Sequence, residues 1–412
     1  MATNTFNNAV KIAKMSADCL ENNLSFTKFV NRKYESMFKD GGAKQGDTIN
    51  VRIPALGYGL RHGSAASPQG YTDTPVPITL AQHGADMQFT TAELLLNMED
   101  GEAFKQNVLN PLIAPVANYI DQTGMALNLK VNNAVGAPGT VPSNLDLFLD
   151  AGAVLRERAV PVDGTWSAVM SPRHQAGVLK GTSQYFNPQA DIAAQYRDGK
   201  LGRLVSGLRF SDDQNAPTHT VGTFGTSTPV MSGTTLDGAT TLVMSGWASG
   251  ASTLNAGDSL TIDNVFAVNP VSKLSTGQLF PFTVVTTVSD SSGTITATIT
   301  PAIQVSGVNQ NVSAVPLNTA KVYVWGKNDN TYSGKSQTES LVFHPDAFSL
   351  VAVDMPKPES AVYCVRVRSP RLNIPIRLIQ FYNGAMDQEL YRLDVMFGWA
   401  ATRPNFACRV VG

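Results

Sequence analysis

Between Gly222 and Ala320 the chain runs 99 residues with only five charged side chains: Asp237, Asp258, Asp263, Lys273 and Asp290. About a third of the stretch is Ser or Thr, and it reads as short alternating strands such as Ser259-Leu-Thr-Ile-Asp263 and Thr294-Ile-Thr-Ala-Thr-Ile-Thr300. Alternation with period two is the pattern of a half-buried strand. On both sides the sequence returns to helices and strands of ordinary charge. That contrast predicts an all-β module inserted into an α+β host. The 412 residues suffice for two or three cores, since a single core stops growing near ~250–300 residues.

Composition narrows the partners. A formal net charge of −1 and 15% charged residues argue against binding nucleic acid through a broad basic surface, because neutralising phosphates takes clustered Lys and Arg. Low charge with 43% hydrophobic residues and 34 glycines suits a chain that hides its outer surface against copies of itself. Cys19, Cys364 and Cys408 are odd in number, far apart and free of CxxC spacing, which predicts reduced thiols in a cytosolic folding environment. No apolar run follows a basic start, so no secretory leader is expected. No stretch approaches the ~20 apolar residues of a membrane span. Asn23-Leu-Ser and Asn311-Val-Ser match the glycosylation pattern and, without a leader, are read as coincidences.

Along the chain, Phe6, Val10, Ala13, Ala17, Leu20 and Leu24 recur at helical steps. A second apolar set, Phe26, Phe29, Val30, Tyr34, Met37 and Phe38, lies among Lys28, Arg32 and Lys33 and predicts a second helix. The pair reads either as two surface helices or as an arm packed on a partner. Thr48–Ile53 reads as a strand. The stretch from there to about Gln88 is rich in Gly, Pro, Ser and Thr, and Val51–Ile53 and Met87–Phe89 bracket it as a long projecting hairpin. Thr90 and Glu93 form a capping-box pattern. Asn110-Pro111 predicts an N-cap and first helical position, with a helix running to about Asn133. A helix over 143–158 capped by Ser143, a strand over Ser167–Met170 and a helix from Pro172 to Lys180 follow. The later strands are expected over 339–354, 361–368, 390–397 and 406–411.

The residue types that carry chemistry fall in no catalytic or ligand-binding pattern. His62, His83, His174, His219 and His344 are widely separated and fit no metal-ligand spacing, so each is read as a surface or turn residue. Ser333-Gly-Lys-Ser336 has the ending of a phosphate loop, but Asp329 stands where its leading glycine belongs, and it is read as a flexible linker. Gly57-Tyr-Gly-Leu-Arg-His-Gly63 is one residue too long for a dinucleotide fingerprint and opens no helix. No GxSxG elbow occurs, and Asp212-Asp213 reads as a turn rather than a calcium loop. No catalytic, cofactor-binding or metal site is assigned, and the chain is read as non-enzymatic.

The order of parts is then the strongest signal: helical arm, long hairpin, long helix, mixed domain with a β-insertion, returning strands. This resembles the major capsid protein of tailed phages, with the Hong Kong 97-type fold. It is most similar to the coat-protein family of short-tailed Salmonella phages, whose members carry an inserted β-barrel. Ala194-Gln-Tyr-Arg-Asp-Gly199 followed by Val205-Ser-Gly-Leu-Arg-Phe210 resembles that family's lead into its insertion. Leu254-Asn-Ala-Gly-Asp-Ser-Leu-Thr-Ile262 and Phe282-Thr-Val-Val285 resemble strands within it, and Phe397-Gly-Trp-Ala-Ala-Thr-Arg-Pro404 resembles the C-terminal tract.

The resemblance implies an N-terminal helical arm over 1–50, an extended E-loop hairpin over 51–90 and a peripheral domain with a spine helix over 91–140. An axial domain over 141–220, an inserted β-barrel over 221–326 and return strands over 327–412 complete it. It implies hexamers and pentamers of this chain in an icosahedral shell around double-stranded DNA, without sequence specificity. A separate scaffolding protein, a portal protein and optional decoration proteins would be partners, with no membrane. Assembly is expected in the host bacterial cytoplasm, through a procapsid that expands on maturation. Lys28, Arg32 and Lys33 are candidates to face inward towards scaffold or DNA, and Arg52, Arg61 and Asp73 are candidates for inter-subunit ion pairs. Two departures matter. No lysine lies between Pro54 and Gln88, so the lysine–asparagine crosslink of some relatives cannot start from this loop. From Gly222 to Ala320 there is no Arg or Glu and one Lys, so ion pairs from the insertion between capsomers must be few. An encapsulin-like nanocompartment shares the fold, and a β-rich tail or adhesin protein would fit the Ser/Thr-rich strands. A hydrolase with an accessory β-domain lacks a placed nucleophile, base or metal set.

Overall fold

The computed structural model describes residues 8–35, 48–54, 57, 73–90, 110–182, 207–358, 363–370 and 372–412. The chain divides into two compact units: the described parts of 1–51, 76–124 and 348–400, and those of 52–75, 125–347 and 401–412.

The first unit is a five-stranded sheet covered on one face by two helices. Its strands run in the order Phe348–Ala352, Gln388–Ala401, Pro375–Asn383, Tyr363–Arg368, with Ala81–Thr90 also paired along Gln388–Ala401. Helices α1 (Asn8–Asn23) and α2 (Asn110–Met125) bury Ala13, Ala17 and Leu20, and Ile113, Val116 and Ile120, against Ile376, Leu378, Leu393 and Val395. Pro115 lies early enough in α2 for the helix to continue through it. After Met125 the coil tightens to a 3-10 segment, Ala126–Lys130, so the helix expected to reach Asn133 ends earlier. Asn128 is drawn off the helical path by a buried hydrogen bond to Glu339 at 2.6 Å.

The second helix expected in the arm is instead a single 3-10 turn, Phe26–Phe29. Phe26 is fully buried, its ring 5.6 Å from Phe348 and 5.5 Å from Trp399. A Cβ at Gly124 would stand 2.7 Å from Trp399 and 2.9 Å from Phe26, so glycine is required there. The turn is capped from outside. The buried carboxylate of Asp121 on α2 accepts the N–H groups of Ser25 at 2.5 Å, Phe26 at 3.3 Å and Thr27 at 3.0 Å, and the Thr27 hydroxyl at 2.5 Å. A helix start leaves such donors unpaired, and an anion there also meets the favourable end of the dipole.

Thr48–Pro54 pairs with Asp73–Thr79 rather than with Met87–Phe89, which lies opposite Glu389–Tyr391 in the large sheet. Pro75 and Pro77 disguise the true partner in the sequence. They are tolerated because a two-stranded ribbon is all edge. Residues 58–72, including the predicted tip, and the helix expected after Thr90 lie outside the described residues.

In the second unit, strands Asn133–Gly136, Ala407–Val411, Ser336–Phe343, Ser167–Met170 and Arg209–Asp212 form one sheet, and Thr218–Thr220 pairs beside Ser336–Thr338. Helix α3 (Asp146–Glu157) starts three residues after the expected Ser143 cap; the Asn144 side chain accepts the Asp146 N–H instead. Helix α4 (Pro172–Thr182) is capped by the Ser171 hydroxyl, which accepts the His174 N–H at 3.1 Å.

From Val221 to Trp325 the chain forms strands and turns with no helix. Six strands line up as Val322–Val324, Ser259–Ile262, Phe282–Val284, Thr294–Thr300, Thr241–Ser245 and Val230–Met231. The two ends of this order are themselves joined, Met231 N–H to Ala320 O and Val322 N–H to Pro229 O, both at 2.9 Å. The strands therefore close into a ring, which removes exposed edges. Leu242, Leu260, Phe282 and Ile295 fill it. The chain enters it through Thr218–Thr220 and leaves through the antiparallel Ser336–Phe343. The Ser333–Ser336 segment is no flexible linker: Ser333 donates to Phe224 O at 2.7 Å and Gly334 N–H to Gly222 O at 3.1 Å.

Asp121→Ala strips the acceptor from three backbone N–H groups and is expected to lower stability by about 3 kcal/mol, whereas Thr27→Val should cost about 1 kcal/mol. Urea midpoints of the two variants check this; equal losses would contradict the capping role.

Candidate functional site

The ring is fastened to the neighbouring sheet by buried polar side chains. Arg409, in the apolar strand Ala407–Val411, is fully buried. Its Nη1 donates to Gly257 O at 2.7 Å and to Glu339 Oε1 at 3.4 Å, and its guanidinium carbon lies 5.1 Å from the Trp325 ring centre. Glu339 also accepts from Asn128 Nδ2 at 2.6 Å and from Gln337 Nε2 at 3.1 Å. Trp325 Nε1 donates to Asp258 Oδ1 at 3.4 Å, and Asp258 accepts from His219 Nε2 at 2.9 Å and the N–H groups of Gly222 and Asn255. Because a carboxylate oxygen only accepts, His219 carries its proton on Nε2. Gly257 has φ +98, and a Cβ there would meet Leu129 at 2.5 Å. Thr283 donates to Val131 O at 3.1 Å, and Arg158 lies 4.7 Å over Phe280. Burial lowers the Arg158 guanidinium to about 10. None of these groups forms a nucleophile–base pair, and no metal-binding group of side chains occurs among the described residues.

Four of the ring's charged side chains bond within it, while Asp263 is half-buried and Lys321 exposed. Asp258 is buried. The N–H groups of Gly250, Gly293 and Ser252 hold the Asp290 carboxyl below the usual carboxylate range. Asp237 accepts the Val305 N–H at 2.9 Å. Lys273 donates to Val308 O at 2.7 Å, and burial lowers its ammonium. What the ring presents outward is largely uncharged, with Leu236, Val271, Leu274 and Leu317 exposed.

The sequence profile of the P22 coat protein, gene protein 5, matches residues 58–412. The chain belongs to the P22 coat protein family. It is therefore a structural protein of a phage capsid, a major capsid protein. Among curated proteins no sequence matches it. Solved structures that align with it include that of Mycobacterium phage Che8, 12% identical over 94% of this chain and 90% of that one, with TM-score 0.47. The capsid of Cyanophage P-SCSP1u is 10% identical over 89% and 83%, TM-score 0.43. The mature capsid of bacteriophage PhiM1 is 10% identical over 89% and 82%, TM-score 0.38. At such scores the likenesses are loose, and the family match carries the assignment.

In this coat protein Arg52 and Asp73 face each other across the ribbon, 3.8 Å apart, with Arg52 80% exposed. A pair so wet contributes little by itself. Arg61 lies outside the described residues. In the arm, Lys28 and Lys33 are exposed, while Arg32 pairs with Glu35. The structure corrects the reading of three histidines. His174, His219 and His344 are buried. Sequence reasoning also missed Arg409, Glu339 and Asp258. The available signal was a charge inside an apolar strand, Ala407-Cys-Arg-Val-Val411.

None of the three cysteines forms a disulfide, and burial pushes the Cys408 thiol up to about 12. His174 is enclosed by Ser340 Oγ at 2.8 Å and Gly412 O at 3.1 Å, and burial lowers its imidazole to about 4. A main-chain oxygen only accepts, so the neutral ring holds its proton on Nε2.

A histidine with a lowered folded value protonates first in the unfolded chain. Its contribution is complete above the ordinary value of about 6.5 and is lost as pH falls from there to about 4. Urea midpoints should fall across that window by the equivalent of about 3 kcal/mol, and His174→Gln should flatten the slope. An unchanged slope in the variant would assign the acid sensitivity elsewhere.

Proposed function

We propose that this chain is the shell-forming coat protein of a tailed phage, assembling with a separate scaffolding protein into a procapsid that expands as double-stranded DNA is packaged. The observation that carries the reading is the match to the coat protein family across residues 58–412. In this reading residues 1–50 are the arm, 51–90 the E-loop and 91–140 the peripheral domain with α2 as its spine. Residues 141–220 begin the axial domain, 221–326 are the inserted β-barrel and 327–412 the return strands. Portal and decoration proteins would contact the finished shell, which would be the virion capsid assembled in the host cytoplasm.

The physical logic supports that role. A weak contact repeated many times gives a strong assembly that can still correct errors. A ring that bonds most of its few charges internally offers largely uncharged surface, which suits contacts that exclude water. On the ribbon, Arg52, Arg61 and Asp73 would pair across subunits, with Arg52 and Asp73 free to exchange their weak mutual pair for a neighbour. In the arm, Lys28 and Lys33 would supply the inward charge towards scaffold or DNA, and Arg32 less, because Glu35 already neutralises it.

Electron microscopy with light scattering on the purified chain, alone and with the phage's scaffolding protein, tests the reading. Closed shells, tubes or spirals are expected, more uniform with scaffold. A small closed oligomer under both conditions would contradict it and favour a fibre or adhesin protein.

A further inference from the structure

The five-stranded sheet of the first unit has two unlike faces. The face carrying Leu378, Leu393, Val395 and Phe397 is packed by both helices. Strand alternation puts Arg366, Arg368, Arg377 and Arg392 on the other. There Arg366 stands directly opposite Arg377, and Arg377 opposite Asp394. Asp394 is already shared: Arg377 Nη2 donates to it at 2.7 Å, Arg392 Nε at 2.9 Å and Gln82 Nε2 at 2.9 Å. Burial pushes the Asp394 carboxyl up, and these donors outweigh it, so the group stays below the usual range. Arg368 is taken by Asp354. Arg366, exposed beside a like charge, pairs with no acid among the described residues. Like charges directly opposite each other destabilise a sheet unless something neutralises them.

The same face exposes Phe381, 40% accessible, and carries the half-buried Leu390 and Met396. Arginine, an aromatic and methionine together are the composition of a protein interface. A phosphate backbone would not favour the apolar residues, nor the exposed Asp86, which lies opposite Arg392.

The complementary chemistry occurs on this chain. Helix α3 exposes Asp146, Asp150 and Glu157, spaced four and seven residues apart along one face. Leu149, 45% accessible, lies beside them. A groove of about 340 Å³ lined by Phe148, Leu149, Gly152, Arg156 and Trp166 runs alongside, with the Arg156 guanidinium carbon 5.9 Å from the Trp166 ring centre.

We propose that the arginine face of this sheet is an interface between copies of the chain, docking on the α3 carboxylates of a neighbouring copy. Arg366 supplies the unsatisfied charge and Phe381 the apolar anchor. The inference rests on the shell reading and names one of its contacts.

Charge reversal tests it. Arg366→Glu and Asp150→Lys are surface changes, and circular dichroism confirms that each variant folds. Each alone should slow assembly at least tenfold by light scattering, and the double variant should recover most of the rate. Single variants that assemble like the parent, or a double variant no faster than the singles, would overturn the pairing. A parent chain that never assembles, with or without scaffold, would remove the shell reading and this inference with it. A photocrosslinker on Cys364, the half-exposed cysteine on this face, gives a second readout in shells mixed from light and heavy isotope copies. Crosslinks from one copy to the α3 peptide of another are expected. Crosslinks confined to one copy, or reaching only other segments, would overturn the inference.

Discussion

The second unit depends on a pair of opposite charges in a dry interior. Arg409 and Glu339 are both fully buried, where each ion alone would cost several kcal/mol to desolvate. Their placement is therefore demanding. Glu339 sits on the strand by which the chain leaves the ring, Arg409 on the strand beside it, and Gly257 and Trp325 of the ring complete the arginine's surroundings. Moving the ring away from strand Ala407–Val411 would withdraw Gly257 O and Trp325 together and leave the guanidinium poorly solvated. Such an arrangement adds little net stability over an apolar core, but it penalises any other docking pose by about 3–5 kcal/mol. The second cluster, Asp258 with His219 and Trp325, repeats the device a few ångströms away. Trp325 links the two, and does so at φ +51, a strained conformation for a tryptophan.

The first unit uses the same means on its arm. One carboxylate, Asp121, gathers three backbone donors, and the aromatic trio of Phe26, Phe348 and Trp399 closes around the result. For a capsid protein this division is useful. Core positions fix each unit's shape, while the ring's surface, the ribbon and the arginine face of the sheet, the surfaces proposed to meet other copies, lie outside those cores.

Much of this was legible in the sequence because the period of a strand or helix is a local property. Ser167–Met170 and Thr294–Thr300 begin and end where the sequence places them, and Ser259–Ile262 stops one residue before the expected Asp263. The β-rich stretch announced itself by its missing charge. Misreadings arose where a distant partner decided. Phe26, Phe29 and Val30 have helical spacing, yet Phe26 is worth more in the core than on a helix face. The ribbon's second strand was hidden by prolines that only an edge tolerates. Buried histidines look like surface ones when the acceptor is 39 residues away, as for His219 and Asp258. The family resemblance rested on short tracts in order, and the profile match over residues 58–412 established it. The arginine face could not be read from sequence, since Arg366, Arg377 and Asp394 become neighbours only through strand register.

Native-state hydrogen exchange on the intact chain tests the fastening most directly, because it reads the opening free energy strand by strand. The account predicts that Ser259–Ile262 and Phe282–Val284 of the ring exchange at the same free energy as Ser336–Phe343 and Ala407–Val411, all through one cooperative opening. A ring that opens several kcal/mol below the sheet would show that the buried charges do not bind the two together.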